Sequence, residues 1–152
     1  MTESGPITHP YFHVGVLVND LEAAQEELAA ALGLEWGEPL ARELGGWSLR
    51  AVYAKQGPPY LELIEGPAGS PWEAVDGPRL DHIGYWTDRL DIESERERLA
   101  DAGLPLEYDG TVAGALFAYH RGRHSGLRVE LLANSGRDAF HERWGLEDRR
   151  AP

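Results

Sequence analysis

Hydrophobic and polar positions follow two periods along this chain, and the order of those periods occurs twice. Residues 11–18 (YFHVGVLV) are dense in β-branched and aromatic side chains, which predicts a strand. Asn19 or Asp20 offers a helix N-cap, and residues 21–32 (LEAAQEELAAAL) carry Leu21, Ala24, Leu28 and Leu32 at helical spacing. Gly33 stands where a helix C-terminal glycine belongs. Strands are predicted at 34–41, 47–54 and 60–65, divided by Gly45-Gly46 and Gly57-Pro58-Pro59. A Gly/Pro-rich connector follows, with a short helical turn expected over 72–75. The order then returns: a strand at 80–87, a helix at 90–102 closed by Gly103, and strands at 106–111, 115–120 and 127–133. The charged tail predicts a peripheral helix over 138–144.

The repetition is visible in the residues themselves. FHVGVLVNDLEAA, from Phe12, matches DHIGYWTDRLDIE, from Asp81, with the two histidines 69 positions apart. Gly33-Leu34 matches Gly103-Leu104 at an offset of 70, and YLELIE matches RVELLA with Glu62 and Glu130 offset by 68. One βαβββ unit is written twice. The expected organisation is a lead-in over 1–9, a first module over 10–66, a connector over 67–79, a second module over 80–134 and a tail over 135–152. Together they make one structural domain.

Composition narrows the chemistry. The 152 residues hold 14 Lys and Arg against 26 Asp and Glu, a formal charge of −12. That excludes nucleic acid and anionic membrane surfaces as expected partners, since both need clustered cations. A small anionic substrate stays possible, because a local cluster of Arg and a metal ion outweigh the mean field. There are no cysteines, so any metal must sit on His, carboxylate or water. No apolar run approaches the length of a membrane span, and the polar first nine residues lack a signal peptide's apolar segment. A cytoplasmic protein is the expectation.

The repeat places two His and two Glu at equivalent positions. His13 and His82 fall on the first strand of each module, and Glu62 and Glu130 on the last. A pseudo-two-fold arrangement of the modules brings all four to one point. Two imidazoles and two carboxylates suit one divalent ion such as Zn, Ni, Co, Mn or Fe. Both glutamates lie in apolar runs, and burying a carboxylate costs several kcal/mol unless it is paired or ligates a metal. Strand alternation puts His13, Gly15 and Leu17 on one face, as it does Tyr60, Glu62 and Ile64, then His82, Gly84 and Trp86, then Arg128, Glu130 and Leu132. The predicted substrate pocket is therefore lined by Tyr60, Trp86, Arg128 and Leu17, with open space left beside each His by Gly15 and Gly84. Arg128 has two readings, a substrate anchor or a salt bridge to one of the many acids, and the second carries more weight. Asp81, beside His82, is a candidate to support that ligand from behind, but its strand parity points it away from the metal. His9, His124 and His141 lie in polar stretches and read as solvated. The five tryptophans suggest an aromatic-lined cup, with core packing accounting for most of them.

The paired H-[IV]-G strands followed by acidic helices, with ELIE and VELL closing the two modules, resemble the vicinal oxygen chelate superfamily. That superfamily includes glyoxalase I, methylmalonyl-CoA epimerase, extradiol dioxygenases and bleomycin-resistance proteins. The resemblance spans residues 10–134. It implies an α+β fold in which the two βαβββ modules form a cupped, partly open eight-stranded mixed sheet around the metal, and it implies a homodimer. The segments ELIEGPAGSPWE, LDHIGYW and FAYHRGRHSGLRVELL are most similar to the methylmalonyl-CoA epimerase branch. The family's Pro after the histidine is here Arg121, and an aliphatic position before the last ligand is Arg128. Leu17 and Gly66 replace two glutathione-anchoring positions of glyoxalase I, which argues against glutathione.

The resemblance implies a metal-dependent isomerase or epimerase, or a lyase-type enzyme, acting on a small molecule by proton abstraction α to a metal-bound carbonyl. Glu62 and Glu130 are the candidate bases, with Glu43 and His120 behind them. The alternatives are a non-catalytic binding protein of the bleomycin-resistance type and a metal-dependent dioxygenase.

Overall fold

The structure, a computed structural model, describes residues 11–87 and 92–147. It contains β1 (His13–Leu17), α1 (Leu21–Leu32), β2 (Leu40–Leu44), β3 (Trp47–Tyr53) and β4 (Tyr60–Glu65), then β5 (Arg79–Thr87), α2 (Ile92–Asp101), β6 (Leu106–Asp109), β7 (Phe117–Arg121), β8 (Arg128–Ala133) and α3 (Arg137–Trp144). The strands form one sheet in the order β2-β3-β4-β1-β5-β8-β7-β6. This curled half-barrel is the cupped sheet expected of two βαβββ modules. Within each module the first and last strands run parallel, β1 with β4 and β5 with β8. The modules meet through the antiparallel pair β1 and β5. The strand order reads the same outward from that seam on both sides, so the sequence repeat has become a spatial pseudo-two-fold.

Local chemistry explains the first helix. Asp20 accepts a hydrogen bond from the Ala23 N–H at 3.0 Å, which satisfies one of the first-turn donors. Gly33 closes the helix at φ 69°, a left-handed conformation that a side chain would strain. The apolar stripe of α1, Leu21, Ala24 and Leu28, packs on the convex face of the sheet over Val18, Val52 and Leu63. Helix α2 covers the equivalent place in the second module, setting Ile92 and Leu99 over Tyr85, Val129 and Leu131.

Several boundaries differ from the sequence reading. Strand β2 begins at Leu40 rather than 34, preceded only by an isolated bridge from Trp36 to Ala54. Gly37 and Pro39 interrupt the earlier stretch, and proline cannot donate to a ladder. The segment 110–113 is a 3-10 turn, so β6 ends at Asp109 and β7 starts at Phe117. Residues 72–75 form no helix; Trp72 is instead anchored in the interior, its indole N–H donating to the Tyr119 hydroxyl at 2.9 Å. The lead-in over 1–9, the first residues expected in α2 (90 and 91) and the end of the tail lie outside the described residues.

The largest correction concerns α3. It is not peripheral. Phe140 packs against Phe12, Tyr53 and Trp86 at ring separations of 5.4–5.5 Å, and Trp144 sits 5.0 Å from the Tyr53 ring. This aromatic cluster folds the tail over the concave face and closes the cup. His141, expected in solvent, is buried against Trp86, because its polar-looking neighbours alternate around a helix whose other side faces the core. Among the described residues no helix is long and apolar enough to cross a membrane.

Candidate metal centre and the cavity above it

His13 and His82 project from the central strands into the concave face and are fully buried. The β1–β5 register sets His13 opposite Gly84 and His82 opposite Gly15. Each ring lies over the facing glycine. A Cβ on Gly15 would stand 2.1 Å from Cε1 of His82, and one on Gly84 would stand 2.2 Å from Cε1 of His13. Only glycine at both positions lets the two imidazoles converge.

They converge through their Nε2 atoms, 3.0 Å apart. Oε2 of Glu130 lies 2.8 Å from Nε2 of His13 and 3.0 Å from Nε2 of His82. Three donor atoms thus form a compact triangle with edges of 2.8–3.0 Å. Adjacent ligands of an octahedral ion with bonds of about 2.1 Å are separated by about 3.0 Å, so the triangle has the dimensions of one coordination face. Nδ1 of His82 lies 2.8 Å from Asp81, which as the hydrogen-bond acceptor would leave the Nε2 lone pair of the neutral ring directed to the centre. Donor type, spacing and tautomer all fit a divalent ion on His13, His82 and Glu130.

Glu62 is brought to the same place but not into the triangle. Its oxygens lie 4.0 Å from Nε2 of His13 and 3.9 Å from Nε2 of His82. The Tyr53 hydroxyl, which is directly across the β3–β4 ladder, donates to Glu62 Oε2. The expected set of four therefore divides into three compact donors and one carboxylate held back by a phenol. Tyr119 stands across from Glu130 in the mirrored position, but its hydroxyl is engaged by Trp72 instead. The two halves share a backbone plan and differ in side-chain hydrogen bonding.

The charges follow these contacts. Burial pushes the Glu62 carboxyl up to about 7; His13 pulls it back, and neighbouring Glu130 raises it further. Glu130 is equally buried, but His13 and His82 outweigh burial and hold it far below the usual carboxylate range. Burial opposes charge on His82 as well, yet Asp81 and Glu130 lift its pKa to about 10. Burial also opposes charge on Asp81, and His82 with Arg128 outweigh it and keep the carboxyl below its ordinary value.

The remaining sequence candidates sort by strand parity and by partner. Trp86 lines the cavity above the triangle. Leu17 and Tyr60 lie in the core beneath the concave face and do not line it; the Tyr60 hydroxyl donates to the Glu147 carbonyl at 2.8 Å. Arg128 also stays out of the cavity. Its guanidinium donates to both Asp81 oxygens at 2.9 and 3.1 Å and stacks 3.8 Å from the Tyr119 ring. It orients the carboxylate that orients His82. Glu43 is exposed, on the opposite strand face from Arg42 and Leu44, so alternation removes it as a base. His120 is buried on the convex side near α2, with Nδ1 2.8 Å from the Leu104 carbonyl oxygen, and is equally removed.

The cavity encloses about 270 Å³. Its walls are mainly apolar, including Leu49, Ile64, Trp72, Phe117, Leu132 and Phe140, and Glu62 and Glu130 stand at its base. Sequence reasoning missed Tyr53, Arg42 and Arg143 among its lining. The hairpin register from β3 to β4 was a usable signal for Tyr53, and parity with Leu40 and Leu44 was one for Arg42. Nothing local marked Arg143, which reaches the cavity only because α3 folds back.

No curated protein matches the chain by sequence. Solved structures resemble it closely in shape. Methylmalonyl-CoA epimerase from Mycobacterium tuberculosis superposes with a TM-score of 0.67 at 20% identity, covering 92% of this chain and 97% of that one. A methylmalonyl-CoA epimerase in complex with methylmalonyl-CoA and NH4+ gives 0.63 at 22% identity, over 82% and 94%. A hypothetical protein from Bacillus halodurans C-125 gives 0.65 at 19% identity, over 84% and 95%. These likenesses establish the fold. The family model described as Glyoxalase/Bleomycin resistance protein/Dioxygenase superfamily matches residues 12–119. With its tandem modules, shared seam and inward-facing histidines, the chain belongs to the glyoxalase/bleomycin resistance protein/dioxygenase superfamily.

Proposed function

We propose that this protein is a metal-dependent isomerase or epimerase that removes a proton α to a carbonyl of a small-molecule substrate. The carrying observation is the position of Glu62. It stands beside the triangle of His13, His82 and Glu130, 3.9–4.0 Å from both Nε2 atoms, and Tyr53 holds it there. A divalent ion on the three donors would supply Lewis-acid polarisation of the carbonyl. Glu62 then accepts the proton from the α-carbon, and the carbon retains the electron pair as an enolate. Return of that proton by Glu62 to the adjacent carbon of an α-hydroxy carbonyl, with the hydroxyl proton passing to the former carbonyl oxygen, gives a 1,2-shift; epimerisation takes instead a proton delivered to the opposite face of the same carbon by a second donor, water or Glu130. Tyr53 aims Glu62, while Trp86, Phe117 and Phe140 form apolar walls around the reacting carbon. Glu130 is the poorer base because both imidazoles engage it. The likeness in shape to methylmalonyl-CoA epimerases supports this reading.

Deuterium exchange tests it. In deuterium oxide the metal-loaded protein should wash deuterium into the α-position of a competent carbonyl substrate drawn from an acyl-CoA and keto-acid screen. Glu62→Gln should slow that exchange by about 10² to 10⁴ with metal content unchanged. Undiminished exchange in that variant would remove Glu62 as the base.

A second reading has one observation in its favour. Two His and one carboxylate on a single coordination face are also the donor set of non-haem iron oxygenases. Dioxygen consumption by the iron-loaded protein would favour it, and Glu62→Gln should then leave consumption largely intact.

A further inference from the structure

Two arginines line the same cavity from opposite ends of the chain. Arg42 comes from β2, half-buried, and Arg143 from α3. Among the described residues neither guanidinium has a carboxylate within ion-pair distance or a side-chain hydrogen bond. Each lies within electrostatic reach of the other, and burial together with Arg143 lowers the pKa of Arg42. Glu62 and Glu130, at the base of the same cavity, offset part of this by favouring the Arg42 charge without pairing directly with it.

This pairing is unfavourable as it stands. The chain carries 26 acidic residues against 14 basic ones, so acidic partners are abundant, and other arginines use them. Arg128 is bound to Asp81, Arg98 to Glu95, and Arg121 to Glu107. Arg42 and Arg143 thus bring two like charges to one mainly apolar cavity, neither held by a direct ion pair, and an anion that enters it relieves their repulsion. Apart from Glu62 and Glu130 at its base and the tyrosines Tyr53 and Tyr119, the rest of the cavity wall is apolar, and its volume of about 270 Å³ lies just below the usual range for ligand sites.

We infer that Arg42 and Arg143 form a carboxylate subsite, and that the substrate is a compact oxo acid whose carboxylate is separated from its reactive carbonyl by an apolar segment. The inference rests on the proposed function for the carbonyl end and names the chemistry of the other end. A guanidinium fork matches a carboxylate through two parallel N–H···O bonds, so Arg42 sets the orientation of the acid and Arg143, on the covering helix, completes the neutralisation. The apolar segment lies along Trp86, Phe117 and Leu132.

Titration calorimetry on the metal-loaded protein tests this with 3-benzoylpropanoate and its methyl ester, which differ only in the charge remote from the ketone. The acid should bind about tenfold or more tightly than the ester. Arg42→Gln and Arg143→Gln should each weaken the acid by roughly tenfold while leaving the ester within about twofold, and the double variant should bind acid and ester alike. Both positions are at least partly exposed, and thermal unfolding checks that the variants fold. Equal binding of acid and ester, a preference that survives the double variant, no binding of either at millimolar concentration, or tighter binding of 3-phenylpropyl phosphate than of the acid would each overturn the carboxylate subsite. Binding is read without turnover. Loss of deuterium exchange with the acid preference intact would therefore count against the isomerase reading alone.

Discussion

His13 and His82 meet Nε2 to Nε2 at 3.0 Å, but only one of them is held from behind. Asp81 accepts from His82 Nδ1, and Arg128 fixes Asp81. The residue equivalent to Asp81 in the first module is Phe12, which packs edge-on to the His13 ring and offers it no acceptor. Nδ1 of His13 is buried without a protein partner among the described residues. The pseudo-symmetric site thus has one histidine held from behind by a carboxylate and one backed by packing alone.

This asymmetry predicts unequal effects on metal affinity. Asp81→Asn should weaken metal binding by about 10- to 100-fold, the usual cost of losing a carboxylate behind a ligating histidine. Phe12→Leu keeps apolar volume and should cost far less. Competition with a chromophoric chelator measures both, and equal losses would contradict the assigned role of Asp81.

Freshly purified protein should carry about one divalent ion per chain, and His13→Ala or His82→Ala should strip it. A ligand present at a thousand times its Kd stabilises by about 4 kcal/mol. For a chain of this size, chelation should then lower Tm by roughly 8–16 °C. Full metal occupancy in the His13→Ala/His82→Ala double variant would refute the site.

Gly15→Ala and Gly84→Ala should each displace the facing imidazole, since the new Cβ would stand 2.1–2.2 Å from its Cε1. Overpacking of this kind costs about 1–3 kcal/mol, which a folded domain can survive. The expected result is native circular dichroism with strongly reduced metal content. Wild-type affinity in either variant would mean that the rings do not need the glycines.

Glu62 sets a pH dependence in chelator-treated protein. Its folded pKa is raised from 4.5 to about 7, so between those values the folded state binds more protons than the unfolded one. Its ionisation therefore destabilises the fold progressively as pH rises through that window, by about 3 kcal/mol at the upper limit. Glu62→Gln removes the effect. Relative to the parent, the variant should gain stability between pH 4.5 and pH 8 and show little difference below pH 4, as read by urea denaturation at each pH. A constant difference across the range would contradict a buried, raised carboxyl.

We expect the chain to assemble as a homodimer. Among the described residues the sheet ends in β2 and β6, each with one edge lacking a strand neighbour, and Leu106, Val112 and Leu116 are exposed near the second edge. Light scattering at micromolar concentration should give twice the 16.8 kDa chain mass, and a species of 16.8 kDa would contradict the expectation.

By itself, the sequence determined the repeat, and the repeat carried most of the architecture. Strand periodicity and a nearly constant offset placed His13, His82, Glu62 and Glu130 on equivalent strands with side chains on one face, because a period of two leaves a strand residue only two directions. The role of Gly15 and Gly84 was legible for the same reason. Tertiary structure decided what depends on distance rather than direction. Parity could not tell that three donors close to 2.8–3.0 Å while Glu62 stops at 3.9–4.0 Å, because a hydroxyl on another strand sets that gap. It could not tell that Arg128 turns to Asp81, since a long flexible side chain is steered by the nearest charge and not by its Cβ. Nor could a short, charged, weakly amphipathic tail announce that Phe140 and Trp144 would cap the cup. Their partners Phe12, Tyr53 and Trp86 lie more than fifty residues away in sequence and become one apolar surface only after the sheet has curled.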